Sequence, residues 1–171
     1  MNFGDPFGLC PEITVDGDNV TVRTDLQFEG GTARDHTAVR QGIERYWGRK
    51  FGRYRVNVET NAAGAPVTNV VITGSVSEGQ DLTGVGGSRG WMRGGLIRMS
   101  VGGRDRTSNL AAHEFGHVMG LDHDRIDGNL MSETAGSSAH RGNIEEAIRR
   151  CGPEADPSRQ QRPQQEPRSD Q

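Results

Sequence analysis

Long apolar runs, lysine, cysteine and aromatic residues are all scarce in this sequence, and each scarcity excludes something. No run approaches the roughly 18 apolar residues that a membrane span needs, so no membrane partner is expected. No basic stretch followed by an apolar one opens the chain, so no secretory leader is expected in it. Two cysteines, Cys10 and Cys151, are too few for a disulfide framework or a zinc-finger array, though enough for one bridge if the two ends of the domain meet. Aromatic residues make up 5% and hydrophobic residues 32% of 171 positions, against 25 glycines, so the core is thin and wrapped in turns. Lys50 is the single lysine among 20 basic residues, and a net charge of −3 gives no nucleic-acid footprint. The length fits one domain.

What is present reads as strand, helix, strands, helix, helix, an α/β (α+β) order. Ile13 to Val15 and Val20 to Phe28 read as two strands around Asp16-Gly17-Asp18-Asn19, with Val20, Val22, Leu26 and Phe28 in phase. Thr32 and Asp35 have the spacing of a capping box. Val39, Ile43, Tyr46 and Trp47 form the apolar stripe of a helix that stops at Gly48. Strands are expected at 53–60, 67–73 and 96–101, and a long glycine-rich loop with at most one short strand at 74–95. A helix is expected from about Ser108 to Met119, with Gly120 at the position past its end where a positive φ is needed. A last helix, 141–151, has Ile144, Ala147, Ile148 and Cys151 on one face. Residues 153–171 carry no apolar side chain larger than alanine and are expected to form a disordered tail.

Residues 113 to 124, HEFGHVMGLDHD, carry the chemistry. On a helix, His113 and His117 point from one face a turn apart, which lets two imidazoles reach one metal ion. Glu114 stands beside the first ligand, where the general base of H-E-x-x-H must stand to reach a metal-bound water. Gly120 lets the backbone turn sharply and bring His123 back as a third nitrogen ligand. Three neutral imidazoles leave a fourth position open, which is the catalytic arrangement for zinc and not the closed structural one. Zinc then lowers the pKa of that water and polarises a carbonyl. The bland reading, a helix with core or solvated histidines, does not explain why three of five histidines and a glycine fall in register.

This run resembles the zinc signature of the metzincin metalloproteases. Asn129-Leu130-Met131-Ser132, with Met131 eight residues after His123, resembles the Met-turn of the matrixins. The resemblance makes Met131 a hydrophobic floor beneath the histidines that does not bind zinc, a role compatible with an ordinary core residue. Asp124 looks more like the reprolysin branch; it either holds the turn by hydrogen bonding or is a solvated loop acid. By resemblance, residues 12–152 form a metzincin-like zincin fold: a twisted, mainly parallel sheet of about five strands, a first helix, the active-site helix and a C-terminal helix, with one zinc. The departures are two. No Tyr follows Met131 where astacins and serralysins have a fifth ligand, and His36 and His140 do not form the structural zinc site of matrixins. No calcium site can be placed. His36, near the start of a helix, reads as half-buried packing. Arg150-Cys151-Gly152-Pro153 resembles the matrixin cysteine switch but lies on the wrong side of the enzyme, and Cys151 falls on an apolar helix face.

Asp5, Pro6, Gly8 and Leu9, within DPFGL, resemble the element that closes the core of rearrangement-hotspot (RHS) repeat proteins, where cleavage follows the Leu. Residues 1–11 are then a remnant of an upstream RHS core. The implied function is a zinc endopeptidase acting on protein or peptide substrates, exported or delivered by a bacterial secretion system as a toxin effector with a cognate immunity protein. The alternatives are a secreted, non-toxic processing peptidase and a catalytically inactive binding module on the same frame. An extended substrate is expected along the sheet edge offered by strand 96–101 or by the loop before it.

Overall fold

The structure of the chain, a computed structural model, describes residues 10–75, 87–88, 95–101, 104–132 and 136–153. Residues 5–9, most of 74–95 and the expected tail beyond Pro153 lie outside the described residues. The elements run β1 (Glu12–Asp16), β2 (Asn19–Arg23), β3 (Asp25–Glu29), α1 (Ala33–Trp47), β4 (Lys50–Phe51), β5 (Tyr54–Glu59), β6 (Val67–Ser75), β7 (Gly87–Ser88), β8 (Leu96–Val101), α2 (Arg104–Val118) and α3 (Arg141–Cys151). The fold is mixed α/β. Among the described residues no helix is long and apolar enough to cross a membrane.

The strands form two four-stranded sheets, in the orders β1-β2-β5-β4 and β3-β6-β8-β7. The segment expected as one strand from Val20 to Phe28 is divided at Thr24, and there the two sheets meet. Side-chain phase is kept across the division: Val20, Val22 and Leu26 are buried, and Thr24 takes the inward slot between them. Its hydroxyl is satisfied by Pro66 O at 2.9 Å and Thr68 Oγ1 at 2.7 Å. What changes is the partner on one edge. Thr24 and Leu26 N–H donate to Glu59 and Thr60 O, at the end of β5, whereas Asp25 N–H donates to Pro66 O on the opposite side. One edge of the segment therefore carries β5, and the other carries first β1 and then β6. Parallel pairs join β2 to β5, β3 to β6 and β6 to β8; β1, β4 and β7 pair antiparallel around them. β4 is a two-residue strand that turns back onto β5 through Gly52, at φ +59°, and has no period that a sequence reading can catch.

Parallel strands need crossovers, and α1 lies on the one that leads from β2, by way of β3, to its parallel partner β5. It starts at the predicted capping box, with Asp35 N–H donating to Thr32 Oγ1 and Thr32 N–H to Asp35 Oδ2. Val39, Ile43 and Trp47 are buried as the stripe required, and Tyr46 is partly buried. His36 stacks on Phe28 at 4.2 Å between ring centroids, and its Nε2 lies 2.8 Å from Gly30 O, which is packing and not ligation. α2 begins at Arg104, four residues before the expected Ser108, because its polar first turn shows no apolar period. From Ala111 to Met119 every residue is buried, so α2 runs through the middle of the molecule. It lies close against α1: a Cβ at Gly42 would collide with the Ser108 backbone, Ser108 Oγ donates to Ala38 O at 3.0 Å, and Trp47 Nε1 donates to Ala112 O at 2.8 Å.

α3 has the expected bounds and buries Ile144, Ala147 and Cys151. Cys151 is bonded to Cys10, with the Cα atoms 5.6 Å apart. The likeness to a cysteine switch therefore fails: the Cys151 sulfur is committed to the bridge and lies against Met119 O, not at the histidines. The bridge spans 141 residues, and closing a loop of this size removes unfolded-chain entropy worth roughly 5 kcal/mol. Replacing both cysteines by serine should lower the unfolding free energy in guanidinium by about 3–5 kcal/mol. Equal midpoints for the bridged and the double-variant proteins would show that the bridge contributes nothing.

Candidate metal centre

α2 carries His113 and His117 into the interior, 4% and 6% exposed. Buried imidazoles must have their polar atoms satisfied, and two backbone carbonyls do half of this. His113 Nδ1–H donates to Leu130 O at 2.6 Å, and His117 Nδ1–H to Leu121 O at 2.7 Å. Those bonds fix both tautomers, leaving each Nε2 with a lone pair. The chain leaves α2 through Gly120, at φ +85°, and returns with His123. The three Nε2 atoms stand 3.1–3.2 Å from one another in a nearly equilateral triangle.

Three lone pairs this close repel unless a cation lies among them. An ion at the usual Zn–N distance of about 2.1 Å from each would see roughly 100° between neighbouring nitrogens, close to tetrahedral. The three histidines are the one group among the described residues that brings three such side chains together, and they can hold a metal ion. The donor set, three neutral imidazoles, suits zinc among other transition metals. Burial is the main reason both α2 histidines stay neutral. It lowers His113, despite the opposing Leu130 carbonyl, and it lowers His117, with help from His113, to about 3.

Glu114 sits next to His113 and is buried, 3% exposed. Met131 is fully buried under the same helix. Gly116 explains how it fits: a Cβ there would collide with Met131 Sδ and touch Trp47 Cζ2 at 3.0 Å. The methionine and the tryptophan thus close on the helix where it has no side chain. Asp124 is not a solvated loop acid. Its carboxylate accepts Ile126 N–H at 3.0 Å and the Asn129 side-chain amide, and its own N–H donates to Met131 O at 2.9 Å. His140 stands away from the triad as the N-cap of α3. Asp5, Pro6, Gly8 and Leu9 lie outside the described residues.

Sequence reasoning missed the Leu121 and Leu130 carbonyls, Asn129, Trp47 and Gly116. Only Gly116 left a signal, since a glycine inside a helix costs about 1 kcal/mol relative to alanine and so asks for a packing reason. The expected sheet edge is also refined. β8 lies between β6 and β7 over Ile97 and Arg98, so β7, within the loop before it, is the outer strand there. The chain matches no known family model, and no curated protein matches it.

Two outcomes are expected. Gly116→Ala should destabilise the fold by about 1–3 kcal/mol through overpacking against Met131, read by chemical denaturation; an unchanged midpoint would contradict the packing described. The second concerns pH. His117 titrates near 6.5 when unfolded and near 3 when folded, so the unfolded chain binds the extra proton. The metal-free protein should therefore lose stability as pH falls from about 6.5 towards 3, and His117→Asn should flatten that dependence. Parallel stability–pH curves for the two chelated proteins would refute it.

Proposed function

We propose that this chain is a zinc-dependent endopeptidase of metzincin type. The observation that carries the reading is the triangle of three Nε2 lone pairs, two of them with tautomers fixed by carbonyls, together with the buried Glu114 that follows His113 in the chain. Support also comes from the parallel pairs β2–β5, β3–β6 and β6–β8 with the central α2, and from Met131 packed against Gly116. His113, His117 and His123 would hold the ion. Bound there, zinc supplies Lewis acidity, making a water nucleophilic near neutral pH and polarising a peptide carbonyl.

The chain's own residues do the rest. Glu114 takes the proton from the attacking water and returns it to the departing amine, one carboxylate serving as base and then as acid. Glu114 follows His113 on α2 and is buried with it. An extended peptide would lie along β7, the last strand of its sheet among the described residues. The delivery context is proposed on residues 5–9: the domain travels behind an RHS-type core, is cut after Leu9 and acts as a bacterial toxin held in check by an immunity protein.

Glu114→Gln tests the mechanism. Gln is nearly isosteric, so zinc content and fold should persist, while turnover should fall by roughly 10²–10⁴-fold, the usual worth of general acid–base help. Cleaved N-termini in cells expressing the two proteins provide the readout, and toxicity should be relieved by the same substitution at equal expression. Near wild-type cleavage by a zinc-loaded Glu114→Gln protein would sink the mechanism. A wild-type protein that holds zinc and cuts nothing would instead be a binding module.

A further inference from the structure

The loop from His123 to Met131 has a demanding task. It carries the third histidine at one end and, at Leu130, the carbonyl that orients His113 at the other. Yet Asp122, His123 and residues 125–128 are exposed, so burial does not hold this stretch. Its order comes from backbone bonds, among them Asp124 N–H to Met131 O at 2.9 Å, Asn129 N–H to Ile126 O at 3.0 Å and Leu130 N–H to Ser138 O at 2.8 Å, and from two side chains. Asp124 Oδ1 accepts Ile126 N–H at 3.0 Å, and its Oδ2 accepts the Asn129 amide and, at 3.4 Å, the Asn143 amide. Asn129 is wholly buried, and its Oδ1 accepts Met131 N–H at 3.0 Å. Its backbone carbonyl takes two more bonds, from Ser132 N–H at 3.0 Å and Gly136 N–H at 2.8 Å.

The residue after His123 and the residue after Leu130 are joined by the backbone bond from Asp124 N–H to Met131 O, and the Asn129 amide braces the same two residues a second time. We propose that Asn129 is a positioning residue for the metal centre, with Asp124 as its partner. The pair sets the separation between His123 and the Leu130 carbonyl, and through it the convergence of His123 and His113 on one ion. The proposal rests on the triad being a metal site. It also explains the residue type. Position 129 must donate to a carboxylate and accept from a backbone N–H, and an amide does both at once through two separate atoms of one short side chain. Aspartate there would set two carboxylates against each other; alanine would remove both bonds.

The two partners can be exchanged. In the Asp124→Asn/Asn129→Asp double variant, the new amide at 124 donates to the new carboxylate at 129. That carboxylate still accepts from Met131 N–H, and the oxygen at 124 still accepts from Ile126 N–H. Only the long Asn143 contact loses its acceptor.

The test measures zinc affinity by competition with a chelating dye. Cobalt(II) absorption, recorded below each protein's melting temperature, reports ligand geometry. Asn129→Asp should weaken zinc binding by roughly 10–100-fold, the usual effect of losing a group that orients a ligand, and should alter the cobalt bands. The exchanged variant should recover most of the affinity and the wild-type bands. Asn129→Asp and Asn129→Ala proteins that bind zinc as wild type does would overturn the proposal. So would an exchanged variant that folds but binds no better than Asn129→Asp, even if that single variant itself fails to fold. A wild-type chain that takes up no stoichiometric zinc would remove the metal reading itself, an outcome distinct from either.

Discussion

Putting two imidazoles inside a protein leaves four ring nitrogens to satisfy, and much of this molecule follows from how that is done. Water cannot serve nitrogens so deeply buried, so each needs a fixed partner. Two carbonyls take the Nδ1 protons of His113 and His117. Both carbonyls belong to segments beyond the end of α2, so the chain has to turn back twice. Gly120 makes the first turn possible and places Leu121 O, and the Asp124–Asn129 pair secures the second and places Leu130 O. The two Nε2 lone pairs are left for a third histidine and an ion. A metal-competent geometry and a satisfied core are here the same arrangement.

The surroundings of α2 obey the same constraint from the other side. A helix buried all round must be approached closely by its neighbours, and close approach needs missing side chains. Gly42 on α1 lets Ser108 lie against it, and Gly116 on α2 leaves room for Met131 and Trp47. The indole N–H, which would otherwise be an orphaned donor in the core, ends on Ala112 O. These contacts are backbone-close and hard to relax, so they hold the histidine-bearing face of α2 at a set depth.

Local spacing made the histidines, Glu114, Gly120 and the two outer helices legible in the sequence, because an i, i+4 pair or an amphipathic stripe depends only on helix geometry. The capping box at Thr32 was legible for the same reason. The division at Thr24 was not, since side-chain phase passes through it unchanged and only the partner on one edge changes, from β1 to β6. Asn129 and the Leu130 carbonyl were not legible because their roles exist only once an irregular loop has closed on α2. Asp124 was readable as a choice between two roles, and the choice turned on Asn129, five residues away and invisible until the loop is folded. The Cys10–Cys151 pairing was legible as a condition, that the two ends of the domain meet; the structure meets that condition, which no local pattern could show.

That bridge also has a mechanical meaning. The bridged region begins at Cys10 and ends at Cys151, backbone positions 5.6 Å apart. A pull applied through both flanks runs from one cysteine to the other across the sulfur–sulfur bond. The residues between them, with α2 and its histidines, are shunted out of the load path. Tension that would unravel an unbridged chain from its ends leaves the histidine triad slack.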